Sequence, residues 1–185
     1  MSEESVILVD SRDRRTGEAP KIAAHRNPGQ RHRAVSVVVV NTANRILLQR
    51  RSAATYHFAG LWSNSCCTHP RPGEQSVRAA QRRLHEEMGI RIRLRAVGKF
   101  EYRAVDSVSG LVEHEIDHVF VGRFDGNPEP NATWVADWSW VDMAGLRSAV
   151  ARSSARYTPW LLPVLDQVQR GQDSAVSFDA KHAEL

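Results

Sequence analysis

The chain has 185 residues, of which 42% are hydrophobic and 25% charged, as expected for an ordinary soluble domain. Its net charge of +4 comes from scattered arginines rather than one basic run, which disfavours a nucleic-acid surface. The N-terminal residues contain no apolar stretch of signal-peptide length, and no segment could span a membrane, so we expect one cytoplasmic domain over residues 1–185.

The two cysteines, Cys66 and Cys67, are adjacent in the chain. Neighbouring residues are poorly placed for ordinary disulfide geometry, so no disulfide framework is expected. A reducing cytoplasm is consistent with this pattern.

The first third of the chain is predicted to be mostly β-structure. Residues 6–9 form a short buried strand, and the charged segment 11–18 forms a turn. The β-branched run at residues 34–40 predicts a central strand, and residues 45–50 predict the returning strand of a hairpin. His25 and His32 then lie in a loop, or at its edge, just before the central strand.

A loop over residues 52–59 leads to the segment WSNSCCTHPRPGE and then to an amphipathic helix. The helix carries an apolar stripe and ends at Gly89. Pairs four residues apart, Arg82 with Glu86 and Arg83 with Glu87, can meet on its polar face. The stripe consists of Val77, Ala80, Leu84 and Met88.

After the helix, residues 92–105 predict one or two strands, residues 106–110 a hairpin turn, and residues 111–124 a further strand. Period two places Glu113, Glu115 and Asp117 on one face of that strand. His114 and His118 lie on the other face, where we expect structural roles. Carboxylates sharing a buried face repel unless a cation or a shared proton lies between them.

The C-terminal part is predicted to contain a strand over residues 138–141 and two helices. Asp142 caps the first helix, which runs to about Arg152. The second begins at Thr158-Pro159 and ends near Gln169, with Pro163 either delaying its start or kinking it. Residues 171–185 lack a clear pattern, and we expect a frayed tail.

The segment from Thr68 to Ile90 resembles a Nudix box, the pattern G-x5-E-x7-R-E-U-x-E-E-x-G-U in which U is a bulky aliphatic residue. Glu74, Arg82 and the residues from Leu84 to Ile90 fall in register, whereas Thr68 replaces glycine and Arg83 replaces a glutamate. That glutamate helps to hold catalytic metal in Nudix hydrolases. The preceding SNSCCTHP, together with Arg83, resembles the narrower family of type I isopentenyl diphosphate isomerases.

The resemblance implies an α/β (α+β) fold, a Nudix-type mixed β-sheet core flanked by helices. It implies interconversion of isopentenyl and dimethylallyl diphosphate by proton transfer through a tertiary carbocation-like species. In the family, Cys67 and Glu115 correspond to the acid/base pair, Tyr102 to a proton-orienting residue and Trp160 to the aromatic face that steadies the cation. Cys66 is expected to be a packing residue, and Trp62 could be a further wall of the site.

The resemblance also implies two cation sites and a diphosphate site. One divalent ion, Mn2+ or Zn2+, is held by the motif histidine, two upstream histidines and two glutamates, and Mg2+ binds the diphosphate through Glu87. Family members commonly carry lysine where Thr55 falls and proline where Ala59 falls. The implied ligands are His25, His32, His69, Glu113 and Glu115, and the implied diphosphate contacts are Lys21, Arg51 and Arg83.

Two other functions remain open at this point. A Nudix hydrolase of nucleotide or prenyl diphosphates would use Glu74, Glu86 and Glu87 but gives no role to Cys67. A non-catalytic module that binds metal or nucleotide would make the cysteine incidental. The expected partner is a small-molecule diphosphate, with no nucleic acid and no membrane, for a monomer or weak homodimer.

Overall fold

The computed structural model describes the backbone of residues 4–182 and the side chains of residues 4–171. Within that range the chain forms a nine-stranded mixed sheet, four α-helices and one 3-10 turn. The strands are β1 (Ser5–Val9), β2 (Arg15–Pro20), β3 (His32–Val40), β4 (Ile46–Arg51), β5 (Trp62–Ser63), β6 (Cys66–Thr68), β7 (Arg95–Val105), β8 (Val112–Arg123) and β9 (Val135–Val141). The helices are α1 (Lys21–His25), α2 (Ser76–Met88), α3 (Met143–Arg152) and α4 (Leu161–His182), with a 3-10 turn at Ser154–Arg156.

Strand β3 is the central strand, as its β-branched run predicts. It pairs in parallel with β8 along its whole length, from His32 opposite Glu115 to Val40 opposite Arg123. On its other side it pairs antiparallel with β6, while β1 and β4 meet its two ends. The combination of parallel and antiparallel pairs makes the sheet mixed, which confirms the predicted fold class.

Helices cover both faces of the sheet because the valines of β3 alternate between two cores. Val35, Val37 and Val39 pack with α2, whereas Val38 and Val40 pack with α3 and α4. Each buried aliphatic side chain of this kind contributes about 1.5–3 kcal/mol through loss of water contact. The two faces of β3 therefore fix the positions of the helices.

Helix α2 confirms most of its sequence prediction. Ala80, Leu84 and Met88 are buried, and Val77 packs beside them. Gly89 ends the helix with φ +70°, and a Cβ there would lie 2.9 Å from the Cβ of Glu129, so the position requires glycine.

Several boundaries differ from the sequence predictions. The charged segment predicted as a turn contains strand β2, because the backbone of β1 offers it a pairing edge that its side chains do not reveal. His25 ends helix α1 and His32 begins β3, so the two histidines lie at the edges of the predicted loop, although the short helix was not predicted. The hairpin of β3 and β4 has one pairing, Val40 with Ile46, and β4 pairs mainly with β9.

At the C-terminus, α4 begins at Leu161, with Pro163 in its first turn, and continues past the predicted end at Gln169 to His182. The side chains after residue 171 and all of residues 183–185 lie outside the described part, so the frayed tail stays a prediction. The single domain over residues 1–185 also stays a prediction. No helix in the described range is long and apolar enough to cross a lipid bilayer.

Candidate active site

Strand register brings the predicted site residues together. Glu115 of β8 lies between His32 of β3 and Tyr102 of β7, its partners on either side. Four residues further along β3, and on the same face as His32, Ser36 lies opposite Cys67 of β6. His69 follows Cys67 by two residues and therefore lies on that face too. Residues far apart in sequence therefore share one face of the sheet.

A compact group of nitrogen and carboxylate ligand atoms lies at the end of β3. One ligand atom from each residue lies within 4.8 Å of all the others. His69 Nε2 is 2.7 Å from Glu115 Oε1, and His32 Nε2 is 3.2 Å from His69 Nε2. The group consists of His25, His32, His69, Glu113 and Glu115, the five residues that the sequence predicted.

The tautomers of this group fit a divalent cation. His25 donates its Nδ1–H to the Lys21 carbonyl at 2.7 Å, and His32 donates its Nδ1–H to the Gln30 carbonyl at 2.8 Å. Each Nε2 therefore faces the cluster with a lone pair available in the neutral ring. His25 Nε2 and Glu113 Oε2 lie 3.0 Å apart, yet both are buried without a hydrogen-bond partner. Two such unsatisfied atoms facing each other are compatible with a bound divalent metal ion.

Burial and neighbouring charge set the protonation of the cluster. Burial keeps His69 neutral by lowering its pKa well below the usual value. Burial would also lower the pKa of His32, but contact with Glu115 outweighs it and raises that pKa. Burial raises the pKa of Glu115, but hydrogen bonds from His32 and His69 bring it below its usual value. Ionised carboxylate with imidazole is the donor set that transition metals and zinc prefer.

Cys67 lies in a polar niche beside the cluster. Its thiol donates a hydrogen bond to Asn64 Oδ1 at 3.2 Å, and Ser36 Oγ lies 3.5 Å from Sγ. Ser36 in turn donates to Asp117 at 2.7 Å. Burial raises the pKa of Cys67 to about 12, so the thiol is protonated at neutral pH. Cys66 is fully buried in the α2 core, as expected for a packing residue.

One cavity joins these groups. The predicted catalytic residues all line it, and Tyr102 donates a hydrogen bond to Glu115 Oε2 at 2.6 Å. Trp160 is held by a hydrogen bond from its Nε1 to Ser63 Oγ at 3.1 Å, and its ring centroid lies 6.0 Å from that of Tyr102. Trp62 does not line this cavity, because its side chain lines a separate groove with Trp140 and Tyr157.

The predicted anion contacts line the same cavity, but two of them already have carboxylate partners. Lys21 Nζ lies 3.0 Å from Glu4, and Arg83 Nε lies 2.7 Å from Glu87. Arg51 instead donates to the carbonyls of His57 and Phe58, both at 3.1 Å.

Glu87 is only 5% exposed and also accepts from Gln49 Nε2 at 2.7 Å. The pair with Arg83 forms as the spacing of four residues predicted, but both side chains are largely buried at the cavity wall. Glu87 lies outside the five-residue group, and its role as a Mg2+ ligand stays a prediction.

The Nudix-box carboxylates are occupied by arginine. Arg82 forms a two-point contact with Glu74, at 2.8 and 2.9 Å, and also lies 3.3 Å from Glu86. Arg83, which stands where hydrolases carry glutamate, lies 3.5 Å from Glu86 as well as pairing with Glu87. Guanidinium groups at these distances compete with a metal ion for the same carboxylate oxygens.

His57 is a functional candidate that the sequence analysis missed. It belongs to the loop after β4, is 5% exposed, and places Nε2 against Glu113 Oε1. Burial lowers its pKa, which favours the neutral ring. The only sequence signal was one more histidine before the cysteine segment, and nothing in the loop composition indicates that it turns inward.

The two histidines of β8 make structural contacts, as the sequence predicted. His114 contacts Glu101 at 3.1 Å, and His118 contacts Asp13 at 2.8 Å, both on the face away from the cluster.

Comparisons with known proteins identify the family and the fold. Residues 30–161 match the family model of the NUDIX domain. The chain is 50% identical over 166 residues to isopentenyl-diphosphate Delta-isomerase 1 of Aromatoleum aromaticum, covering 90% of this chain and 93% of that protein. It is 48% identical over 161 residues to isopentenyl-diphosphate Delta-isomerase of Nocardia farcinica, covering 87% and 92%. A solved Deinococcus radiodurans protein shares the fold, with a TM-score of 0.72 at 20% identity over 88% of this chain and 98% of that one.

Proposed function

The chain belongs to the isopentenyl-diphosphate Delta-isomerase family and carries its NUDIX domain, and from this membership we propose that it interconverts isopentenyl and dimethylallyl diphosphate to supply isoprenoid biosynthesis. The observation that carries the proposal is that one cavity brings together the Cys67 thiol, the Glu115 carboxylate, the rings of Tyr102 and Trp160, and the basic side chains of Lys21, Arg51 and Arg83. A small diphosphate with an alkene tail needs all of these groups.

The reaction moves a double bond by one carbon. A proton adds to the terminal carbon through the π electrons, which leaves positive charge on the tertiary carbon. Loss of a proton from the carbon next to the CH2–O group then forms the new double bond. Such a site needs an acid and a base around the alkene, and walls that exclude water.

Cys67 and Glu115 are the acid and the base of this proposal. With a pKa of about 12, Cys67 carries its proton at neutral pH, while the lowered pKa of Glu115 keeps the carboxylate ionised. These states suit Cys67 as donor and Glu115 as acceptor in the direction of dimethylallyl diphosphate, with the roles exchanged in reverse. Tyr102, which donates to Glu115 at 2.6 Å, orients that carboxylate.

Trp160 supplies an electron-rich face for the developing positive charge. Its edge is fixed by Ser63, and Phe58 packs against it with ring centroids 5.2 Å apart. A ring held on two sides needs no reorientation as charge develops, which is the condition for effective electrostatic stabilisation.

In this proposal Lys21, Arg51 and Arg83 contact the diphosphate. Glu87 would contribute a carboxylate ligand to Mg2+, which would supply further positive charge to the diphosphate. His25, His32, His69, Glu113 and Glu115 would hold Mn2+ or Zn2+. A cation in this site would supply positive charge beside Glu115 that tunes its acidity.

The test is proton NMR of the purified protein with isopentenyl diphosphate, Mg2+ and Mn2+ in D2O. We expect dimethylallyl diphosphate carrying deuterium. The Cys67→Ala variant should lose this activity, while Cys66→Ala, which changes the adjacent packing cysteine, should retain it. Release of phosphate would favour the hydrolase, and an unchanged spectrum would favour a binding module or another substrate. Full activity in Cys67→Ala would refute the assigned acid.

A further inference from the structure

His57 lies between the proposed diphosphate site and the proposed metal site. Arg51 Nη2 approaches His57 Nδ1 at 3.5 Å and donates to the His57 carbonyl at 3.1 Å. At the other end of the ring, Nε2 contacts Glu113 Oε1. The second oxygen of Glu113, Oε2, faces His25 and His32 in the metal cluster.

The direction of the hydrogen bonds follows from the chemistry of arginine. A guanidinium group only donates, so the Nδ1 atom that faces Arg51 is the acceptor of the ring. The proton of the neutral ring is then on Nε2, where it is donated to Glu113 Oε1. His57 thereby satisfies one oxygen of Glu113 and leaves the other directed at the cluster.

The ring is held in this position by its neighbours. Tyr56 stacks on it with centroids 4.0 Å apart and an interplanar angle of 23°, and His25 packs edge-on at 5.5 Å. Asp106 fixes the next residue by accepting the Phe58 amide at 3.0 Å. A buried side chain restrained on both faces suits a positioning role.

We propose that His57 is a positioning residue that orients Glu113 as a metal ligand and couples it to the diphosphate-binding Arg51. The inference rests on the proposed metal site and extends it by one residue that contacts a ligand rather than the ion. Groups of this kind commonly change metal affinity by about 10–100-fold when they are removed.

The test measures Mn2+ affinity by electron paramagnetic resonance of free Mn2+, which requires no turnover. His57→Phe keeps a ring that can stack on Tyr56 but removes the donor, and it should weaken Mn2+ binding about 10–100-fold. His57→Gln keeps an N–H donor and should stay within about fivefold of the wild type. His118→Phe is the matched control, since His118 contacts Asp13 on the opposite face, and it should leave the affinity unchanged.

A double-mutant cycle tests the coupling to Arg51. Arg51→Met should change Mn2+ affinity by a factor that differs at least about threefold between the wild-type and His57→Phe backgrounds. Equal factors would overturn the coupling, and a His57→Phe protein with wild-type affinity would overturn the positioning role. If the protein does not isomerise isopentenyl diphosphate but His57→Phe still weakens Mn2+ binding, only the proposed reaction is refuted. If the wild-type protein binds no Mn2+, both the metal site and the role of His57 are refuted.

Discussion

Replacing Thr55 by lysine should strengthen binding of isopentenyl diphosphate. Thr55 lines the cavity, where family members commonly carry lysine, and its hydroxyl is used locally in a 2.6 Å hydrogen bond to the Ser52 carbonyl. The cavity has three bases, but Lys21 and Arg83 are paired with Glu4 and Glu87. These three bases and their two carboxylate partners together carry one net positive charge, against two or three negative charges on the ligand.

The size of the effect follows from the interaction that lysine would add. A hydrogen bond to a charged group contributes about 1.5–3 kcal/mol. Because Thr55 is half-buried, solvent screening reduces this to about 1–2 kcal/mol. At about 1.36 kcal/mol per factor of ten, KM should fall about five- to thirtyfold with little change in kcat, since the new contact is present before and during proton transfer.

The assay is steady-state isomerisation at two salt concentrations, with Thr55→Met as the control of similar length and no charge. The gain in Thr55→Lys should shrink at high salt, and Thr55→Met should show no gain. If Thr55→Lys leaves KM unchanged, or if Thr55→Met lowers it equally, the charge argument is wrong.

Three further predictions concern single residues. Burial raises the pKa of Cys67 to about 12, so the rate at which iodoacetamide alkylates Cys67 should still rise steeply between about pH 8.5 and pH 10. Peptide mass spectrometry measures this rate, and a plateau near pH 8.5 would contradict the protonated thiol. Gly89→Ala should lower the free energy of unfolding in urea by about 1–2 kcal/mol or more, because φ is +70° and the new Cβ would meet Glu129; an unchanged midpoint would show that the turn relaxes. Asp142→Ala should cost about 1 kcal/mol in the same assay, because the carboxylate caps α3 by accepting the Gly145 amide at 2.6 Å, whereas Asp142→Asn should retain most of the stability.

The sequence predicted the parts of the fold that depend on side-chain periodicity. The continuous valine run of β3 predicted a strand buried on both faces, and the apolar stripe of α2 predicted which side of that helix faces the core. The period of β8 likewise placed Glu113 and Glu115 on one face. Strand β2 was missed because its residues are charged and exposed, and it is held by backbone pairing with β1.

Within the site, too, the sequence predicts side-chain positions only where the backbone follows a regular period. Glu113 and Glu115 lie on the regular strand β8, so their period placed them on one face, whereas the three histidines of the cluster were identified through the family resemblance. His57 lies in an irregular loop where Phe58 adopts φ +46°, so no period connects its position to its direction. Its inward orientation comes from contacts with Arg51 and Glu113, while Asp106 holds the amide of the neighbouring Phe58.

Arg83 both pairs with the Nudix-box carboxylates Glu86 and Glu87 and lines the proposed diphosphate site. A glutamate at this position would add a third negative side chain beside Glu86 and Glu87, and such a group needs cations to be stable. Arginine instead neutralises both neighbours, at 3.5 and 2.7 Å, and stacks its guanidinium over Trp134 at 4.0 Å. The group is thereby fixed at the cavity wall with further donors available to an anion. Arginine at this position therefore disfavours metal-dependent hydrolysis on α2 and favours holding a diphosphate intact during the proton transfers proposed for Cys67 and Glu115.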